Sequence, residues 1–127
     1  MEKKKILVID DEVNVTSLVK TRLEFHNYYV VPCYTSKRGL EITIREKPDL
    51  ILMDVMMPDI NGYELCKELK ANPKTRTVPV ILFSAKESDK HKMHEKCMEV
   101  GAQDYILKPY EQKELLDKIE KIITKKR

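Results

Sequence analysis

No stretch of this chain is apolar for anything close to the ~20 residues that a membrane-spanning helix needs. The first residues, Met1-Glu2-Lys3-Lys4-Lys5, lead straight into only four apolar positions, too few for a secretion signal, and no small-residue cleavage site follows. A cytoplasmic protein away from membranes is the expectation. Cysteine is scarce and odd in number: Cys33, Cys66 and Cys97 are widely spaced, which gives neither a zinc pattern nor a disulfide framework and predicts reduced thiols. Charge of one sign is also lacking, with 24 basic against 21 acidic residues and a net charge of +3. Part of that excess is the terminal Lys125-Lys126-Arg127, read as a solvated helix end where cations suit the helix dipole. No aromatic or groove-reading element accompanies it, so direct nucleic-acid binding is not expected. Repeats, low-complexity tracts and interdomain linkers are absent as well. With 42% hydrophobic and 35% charged residues over 127 positions, the chain is too apolar for disorder and suits one domain with one core.

What is present is a set of short apolar runs, each ending on a reactive residue. Ile6-Leu7-Val8-Ile9 runs into Asp10-Asp11, and Leu50-Ile51-Leu52-Met53 into Asp54. Val80-Ile81-Leu82-Phe83 runs into Ser84-Ala85, and Tyr105-Ile106-Leu107 into Lys108-Pro109. Strands apolar throughout belong to parallel sheets covered on both faces. Between them lie stretches of helical spacing: Val15, Leu18, Val19 and Leu23 in the first, Leu40 and Ile44 in a second over 36–46, Leu65, Cys66 and Leu69 in a third. A fourth helix over 87–100 carries a thin stripe, Met93, Cys97 and Val100. A fifth over 111–123 carries Leu115, Leu116, Ile119, Ile122 and Ile123. Asn27 and Gly101 suit left-handed helix ends, Asn61 a helix N-cap, and Pro32 an edge strand, here the short second run Tyr29–Pro32.

Strand–helix alternation repeated five times predicts an α/β fold, a flavodoxin-like (βα)5 doubly wound five-stranded parallel sheet of order 2-1-3-4-5. Ligands bind outside the carboxyl ends of such strands, where Asp10, Asp11, Asp54, Ser84 and Lys108 all fall. Three carboxylates at one edge repel one another unless a cation joins them, and Mg²⁺ prefers oxygen ligands, waters and a phosphate. Helix capping explains one acid of the set, not three. Asp54 can act as a nucleophile on phosphorus and form an acyl phosphate. Lys108, Ser84 and the backbone N–H of Ala85 can then neutralise or donate to the phosphoryl oxygens. The bland alternatives are a strand-end serine bonded to its own backbone and a surface lysine; joint placement with Asp54 argues against both.

These motifs, Ile-Leu-Val-Ile-Asp10-Asp11-Glu12, Asp54-Val-Met-Met-Pro58-Asp-Ile-Asn-Gly62, Ser84-Ala85 and Lys108-Pro109, resemble those of the receiver domains of two-component response regulators, and the resemblance covers essentially the whole chain. It implies one receiver domain over residues 1–127, without an output domain in this chain, either as a stand-alone protein or as part of a longer regulator. It implies that Asp54 takes a phosphoryl group from a sensor histidine kinase or a phosphotransfer protein. Asp11 and Asp54 would hold Mg²⁺, with Asp10 acting through water and the backbone carbonyl of Met56 as a further ligand. Lys108 would pair with the phosphate, next to a cis Lys108–Pro109 bond. Ser84 and Tyr105 would form a switch that reshapes the surface of the fourth helix, fifth strand and fifth helix. A downstream protein target or a fused output domain would read that surface, or a second copy in a homodimer with Asp104 and Lys118 in ion pairs.

The chain departs from the pattern at a few positions. Ser84 stands where threonine is common, and Asn27 where glycine is frequent. Met56 and Lys86 occupy positions that flank the hydrolytic water in the family. Neither can orient that water, so the resemblance implies a receiver that catalyses its own phosphorylation and only slow dephosphorylation, not a turnover enzyme. A haloacid-dehalogenase-like phosphatase would need Asp-x-Asp after the first strand. A flavodoxin would need a Ser/Thr-Gly-rich phosphate loop there. A receiver-shaped interaction module would not need the complete acid set. His91, His94 and Cys97, spaced three apart, drift around a helix and predict no metal site.

Overall fold

The computed structural model describes residues 3–84 and 90–125. The apolar runs form strands β1 (Lys5–Ile9), β2 (Tyr29–Cys33), β3 (Leu50–Asp54), β4 (Val80–Ser84) and β5 (Asp104–Leu107). All pairings are parallel, and the sheet order is β2-β1-β3-β4-β5, as the alternation predicts. Helices α1 (Val13–Phe25), α2 (Gly39–Glu46), α3 (Gly62–Ala71), α4 (Lys90–Val100) and α5 (Gln112–Lys125) cover both faces.

Because strand side chains alternate in direction, each strand feeds two cores. Leu7, Ile9, Ile51, Met53, Val80 and Leu82 meet α2, α3 and α4 through Ile42, Leu65, Leu69, Met93 and Cys97. Ile6, Val8, Leu50, Leu52, Ile81 and Phe83 meet α1 and α5 through Val19, Leu23, Leu115 and Ile119. Each fully buried Leu, Ile or Phe contributes ~1.5–3 kcal/mol of transfer free energy, so both faces of the sheet are driven to be covered. Pro32 sits on the edge strand, and Asn27 and Gly101 adopt left-handed φ values of 70° and 83°. Asn61 caps α3, its Oδ1 accepting from Glu64 N at 3.0 Å.

Two helix faces differ from the periodic reading. In α1, Leu18 is 51% exposed while Thr16 is fully buried. The Thr16 hydroxyl reaches the carbonyls of Glu12 (3.0 Å) and Asp10 (3.3 Å), which satisfies it inside the core. In α2 the buried positions are Gly39, Ile42 and Thr43, while Leu40 and Ile44 are half-buried. A 3-10 turn at Ser36–Arg38 precedes α2 and shifts its phase. Gly39 lies so close to α3 that a Cβ there would stand 2.6 Å from Leu65 Cδ2, and Ile42 packs in the same core.

Candidate functional site

The register that builds the sheet also assembles the site. Ile9 pairs with Met53, Asp54 with Phe83 and Ser84 with Leu107, so the residues that follow or close β1, β3, β4 and β5 share the carboxyl edge. Asp10, one residue past β1, is 1% exposed, and Asp54, the last residue of β3, is 5% exposed. Asp10 is fixed through its backbone N–H, which donates to Cys33 O at 3.0 Å. Its Oδ1 accepts from Glu12 N at 3.0 Å, while its buried Oδ2 has no hydrogen-bond partner among the described residues.

Lys108 Nζ stands between the two buried acids, 3.6 Å from Asp10 Oδ2 and 3.9 Å from Asp54 Oδ2. These separations exceed hydrogen-bond length, so Lys108 acts as a shared counter-charge. Its ammonium lies 5.7 Å above the Phe83 ring, which in turn stacks on Tyr110. The Lys108–Pro109 bond is cis, as the resemblance implies. The Asp54 carboxyl is raised from its ordinary value, chiefly by burial; Lys108 pulls it back, Asp10 raises it, Met56 N–H lowers it and Asp11 raises it.

Asp54 is held by the loop that follows it. Val55 and Met57 are buried, while the Met56 side chain between them is 46% exposed and its N–H donates to Asp54 Oδ1 at 3.3 Å. Gly62 N closes the loop on Val55 O at 2.9 Å. A Cβ at position 62 would lie 2.5 Å from Asp54 O and 2.9 Å from Val55 Cα, so backbone contact there admits only glycine without a shift.

Asp10, Glu12 and Asp54 bring one carboxylate oxygen each within 4.8 Å of one another. Asp11 is exposed and lies outside that trio, though its charge still acts on Asp54. Glu12 was not among the residues that the spacing singled out. It enters because the turn after β1 carries it back over the edge, and its place in the Asp10-Asp11-Glu12 run was the available signal. Three carboxylates against one ammonium leave excess negative charge, and the donors are all oxygens. With Asp10 Oδ2 contacted by charge but accepting no hydrogen bond among the described residues, they fit a hard divalent cation such as Mg²⁺ better than a soft metal.

Ser84 is buried at the end of β4, and its carbonyl accepts from Lys108 N at 2.9 Å. Ala85, Lys86 and the start of the fourth helix at 87–89 lie outside the described residues, as do Lys126 and Arg127. Tyr105 on β5 donates its hydroxyl to Lys90 O at 3.4 Å, and Lys118 Nζ lies 5.6 Å over its ring. Asp104 and Lys118 pair with each other within the chain at 2.9 Å. His91 and His94 are exposed and Cys97 is buried, and among the described residues no metal-ligating group includes them.

A parallel five-stranded sheet in this order, with a buried acid pair and a lysine at its carboxyl edge, defines a receiver-type signalling fold. The response regulator receiver domain model matches residues 6–120, and the chain belongs to that family. It is 38% identical over 121 residues to the response regulator ArlR of Staphylococcus saprophyticus, covering 95% of this chain and 53% of that protein. The chain spans about half the length of the curated relatives it matches. Among solved structures, the BeF3-activated N-terminal receiver domain of Klebsiella pneumoniae RstA superposes with a TM-score of 0.85 at 33% identity, covering 94% of this chain and 98% of that one. The receiver domain of the sensor histidine kinase PA1611 from Pseudomonas aeruginosa PAO1 gives 0.85 at 26% identity, covering 96% and 98%; that structure has a magnesium ion coordinated in its active-site cleft. No helix among the described residues is long and apolar enough to cross a membrane.

Proposed function

We infer that this chain is a phosphorylation-activated switch in which Asp54 accepts a phosphoryl group from a phosphohistidine of a sensor histidine kinase or phosphotransfer protein. The observation that carries this reading is the buried Asp54 carboxylate, with Asp10 and the Lys108 ammonium both within reach of one point at the sheet edge. In the transfer, an Asp54 oxygen forms the O–P bond as the N–P bond breaks and its electron pair returns to the donor imidazole. Lys108, already poised between the acids, turns to the incoming phosphoryl oxygens. Ser84 and the Ala85 backbone N–H donate to the same oxygens. Asp10, Asp11, Asp54 and the Met56 carbonyl, with Glu12 beside them, are the groups that would hold Mg²⁺. Bound there, the ion would neutralise charge on the phosphoryl group.

Ser84 and Tyr105 then carry the change from the edge to α4, β5 and α5, the surface that meets a downstream target, a fused output domain or a second copy. The Tyr105 hydroxyl bond to Lys90 supports this coupling, because it already ties β5 to α4. Met56 and Lys86 leave the hydrolytic water unoriented, so the acyl phosphate is expected to be long-lived. Incubation with acetyl phosphate, with and without Mg²⁺, followed by intact-mass measurement, tests the reading. One phosphoryl group should be gained with Mg²⁺ and none by Asp54→Asn. No gain by the natural chain in the presence of Mg²⁺ would refute it.

A further inference from the structure

The loop that carries Met56 is fastened at its far end by a carboxylate that the phosphotransfer reading does not use. Asp59 Oδ1 accepts from the Ser36 hydroxyl, and its Oδ2 accepts from the Thr35 hydroxyl and from Lys37 N (2.9 Å). Ser36 is 1% exposed and completes the join: its one hydroxyl hydrogen is shared between Asp59 Oδ1 and Ile60 O (2.6 Å), and its Oγ accepts from Ile60 N at 3.0 Å. On the other side, this segment continues from β2. There the Cys33 carbonyl holds Asp10 N at 3.0 Å, and Cys33 Sγ donates to Thr35 O at 3.1 Å.

A chain of bonds thus runs from Asp10 through Cys33, Thr35 and Ser36 to Asp59, then along the loop to Met56, whose N–H donates to Asp54. Its two ends are the two sides of the candidate cation site. Asp10 and Glu12 lie on one side, and Asp54 lies on the other. An exposed loop acid that served only to solubilise the surface would have no reason to take three donors from a neighbouring turn. The same donors hold its carboxyl well below the ordinary range, so the clamp is ionised at neutral pH.

We propose that Asp59, bonded to Thr35 and Ser36, is a positioning residue that sets the span between the first-strand acids and the β3–α3 loop, and through that span the affinity for the divalent cation. It does not touch the ion or the phosphoryl group. The proposal rests on the phosphotransfer reading of the same edge. Removing the clamp leaves only the Ser36–Ile60 contacts between the loop and the β2–α2 turn, which loosens the span and weakens ion binding while leaving the reacting groups in place.

Calorimetric titration of the full chain with Mg²⁺ alone tests this, beside acetyl-phosphate labelling rates at limiting and saturating Mg²⁺. Asp59→Ala should raise the Mg²⁺ Kd about tenfold, the low end for groups that orient metal ligands. Its labelling rate should recover to near the natural level at saturating Mg²⁺, a split that general unfolding would not give. Thr35→Val should weaken binding in the same direction, and Thr35→Ser, which keeps the hydroxyl, should restore it. If Asp59→Ala does not fold, the two Thr35 variants decide the matter. Unchanged Kd in the folded variants, or a labelling rate that stays low at saturating Mg²⁺, would overturn the positioning role alone. A natural chain that bound no Mg²⁺ would overturn the underlying reading and this proposal with it.

Discussion

Asp54 is a carboxylate held against its own preference for water. Its folded pKa is raised above the unfolded value by burial first, with Lys108 opposing. The folded protein therefore binds more protons than the unfolded chain between those values. Stability is unpenalised below the unfolded pKa and falls as pH rises through the folded one. Asp54→Asn should accordingly raise the melting temperature of the metal-free protein at neutral pH, and the gain should shrink toward zero as the medium is acidified below the carboxylate range. Thermal denaturation in chelator across pH checks this, and a destabilised variant at neutral pH would contradict it. Gly62→Ala should be costly in a different way. The Cβ meets the Asp54 and Val55 backbone, so a loss of about 1–3 kcal/mol in urea denaturation is expected from overpacking, together with weaker Mg²⁺ binding as Asp54 is displaced. Asp10, Asp54, Ser84 and Lys108 were legible in the sequence because each ends an apolar run, and a parallel sheet brings such ends together. The placement of Asp59 was not, and that of Glu12 only through its adjacency to Asp10 and Asp11, because both depend on how a turn folds back and on which neighbouring turn supplies donors. Neither is encoded in local spacing.

Among the elements, α4 is held by a thin apolar stripe. It buries Met93, Cys97 and Val100 and is otherwise exposed, whereas α3 buries Gly62, Leu65, Cys66 and Leu69 in a shorter helix. A helix with little apolar contact opens locally at low free-energy cost. Backbone amides of residues 90–100 should exchange with deuterium faster than those of 62–71, read by mass spectrometry or NMR; equal or greater protection of α4 would contradict this. Met93 is its central anchor, fully buried with the Tyr63 hydroxyl 3.2 Å from its Sδ. Met93→Ala should cost about 2–5 kcal/mol if the cavity stays open, with the largest loss of protection in α4 itself. The thin stripe was readable from the sequence because its spacing is regular. The inward face of α2 was not, since the 3-10 turn before it resets the helical phase and Gly39 sets how closely it packs. In α1 the buried Thr16 displaced Leu18 for a similar reason. A hydroxyl that can reach two carbonyls of the preceding turn tolerates burial, and periodicity alone ranks the leucine above it.

At the scale of the whole molecule, the sheet acts as a frame that holds like charges together at one edge, and ion binding should stabilise all of it. Because the acids that would hold Mg²⁺ are gathered only in the folded state and scattered in the unfolded chain, a hundredfold excess over Kd should add about 2.7 kcal/mol. Asp10→Asn should abolish most of that gain in thermal denaturation. The Asp104–Lys118 pair closes within one chain, so a homodimer through α4, β5 and α5 would have to form with this pair already satisfied or exchange it between copies. The Lys118 ammonium also covers the Tyr105 ring, which places that pair beside the proposed switch. The most direct test of the central claim is to locate the phosphoryl group chemically. After labelling with acetyl phosphate and Mg²⁺, borohydride reduces an aspartyl phosphate to homoserine, and peptide sequencing by mass spectrometry reads the modified position. Homoserine at position 54 and nowhere else is the predicted result. An unmodified Asp54 in a labelled protein, or reduction at another carboxylate, would contradict it.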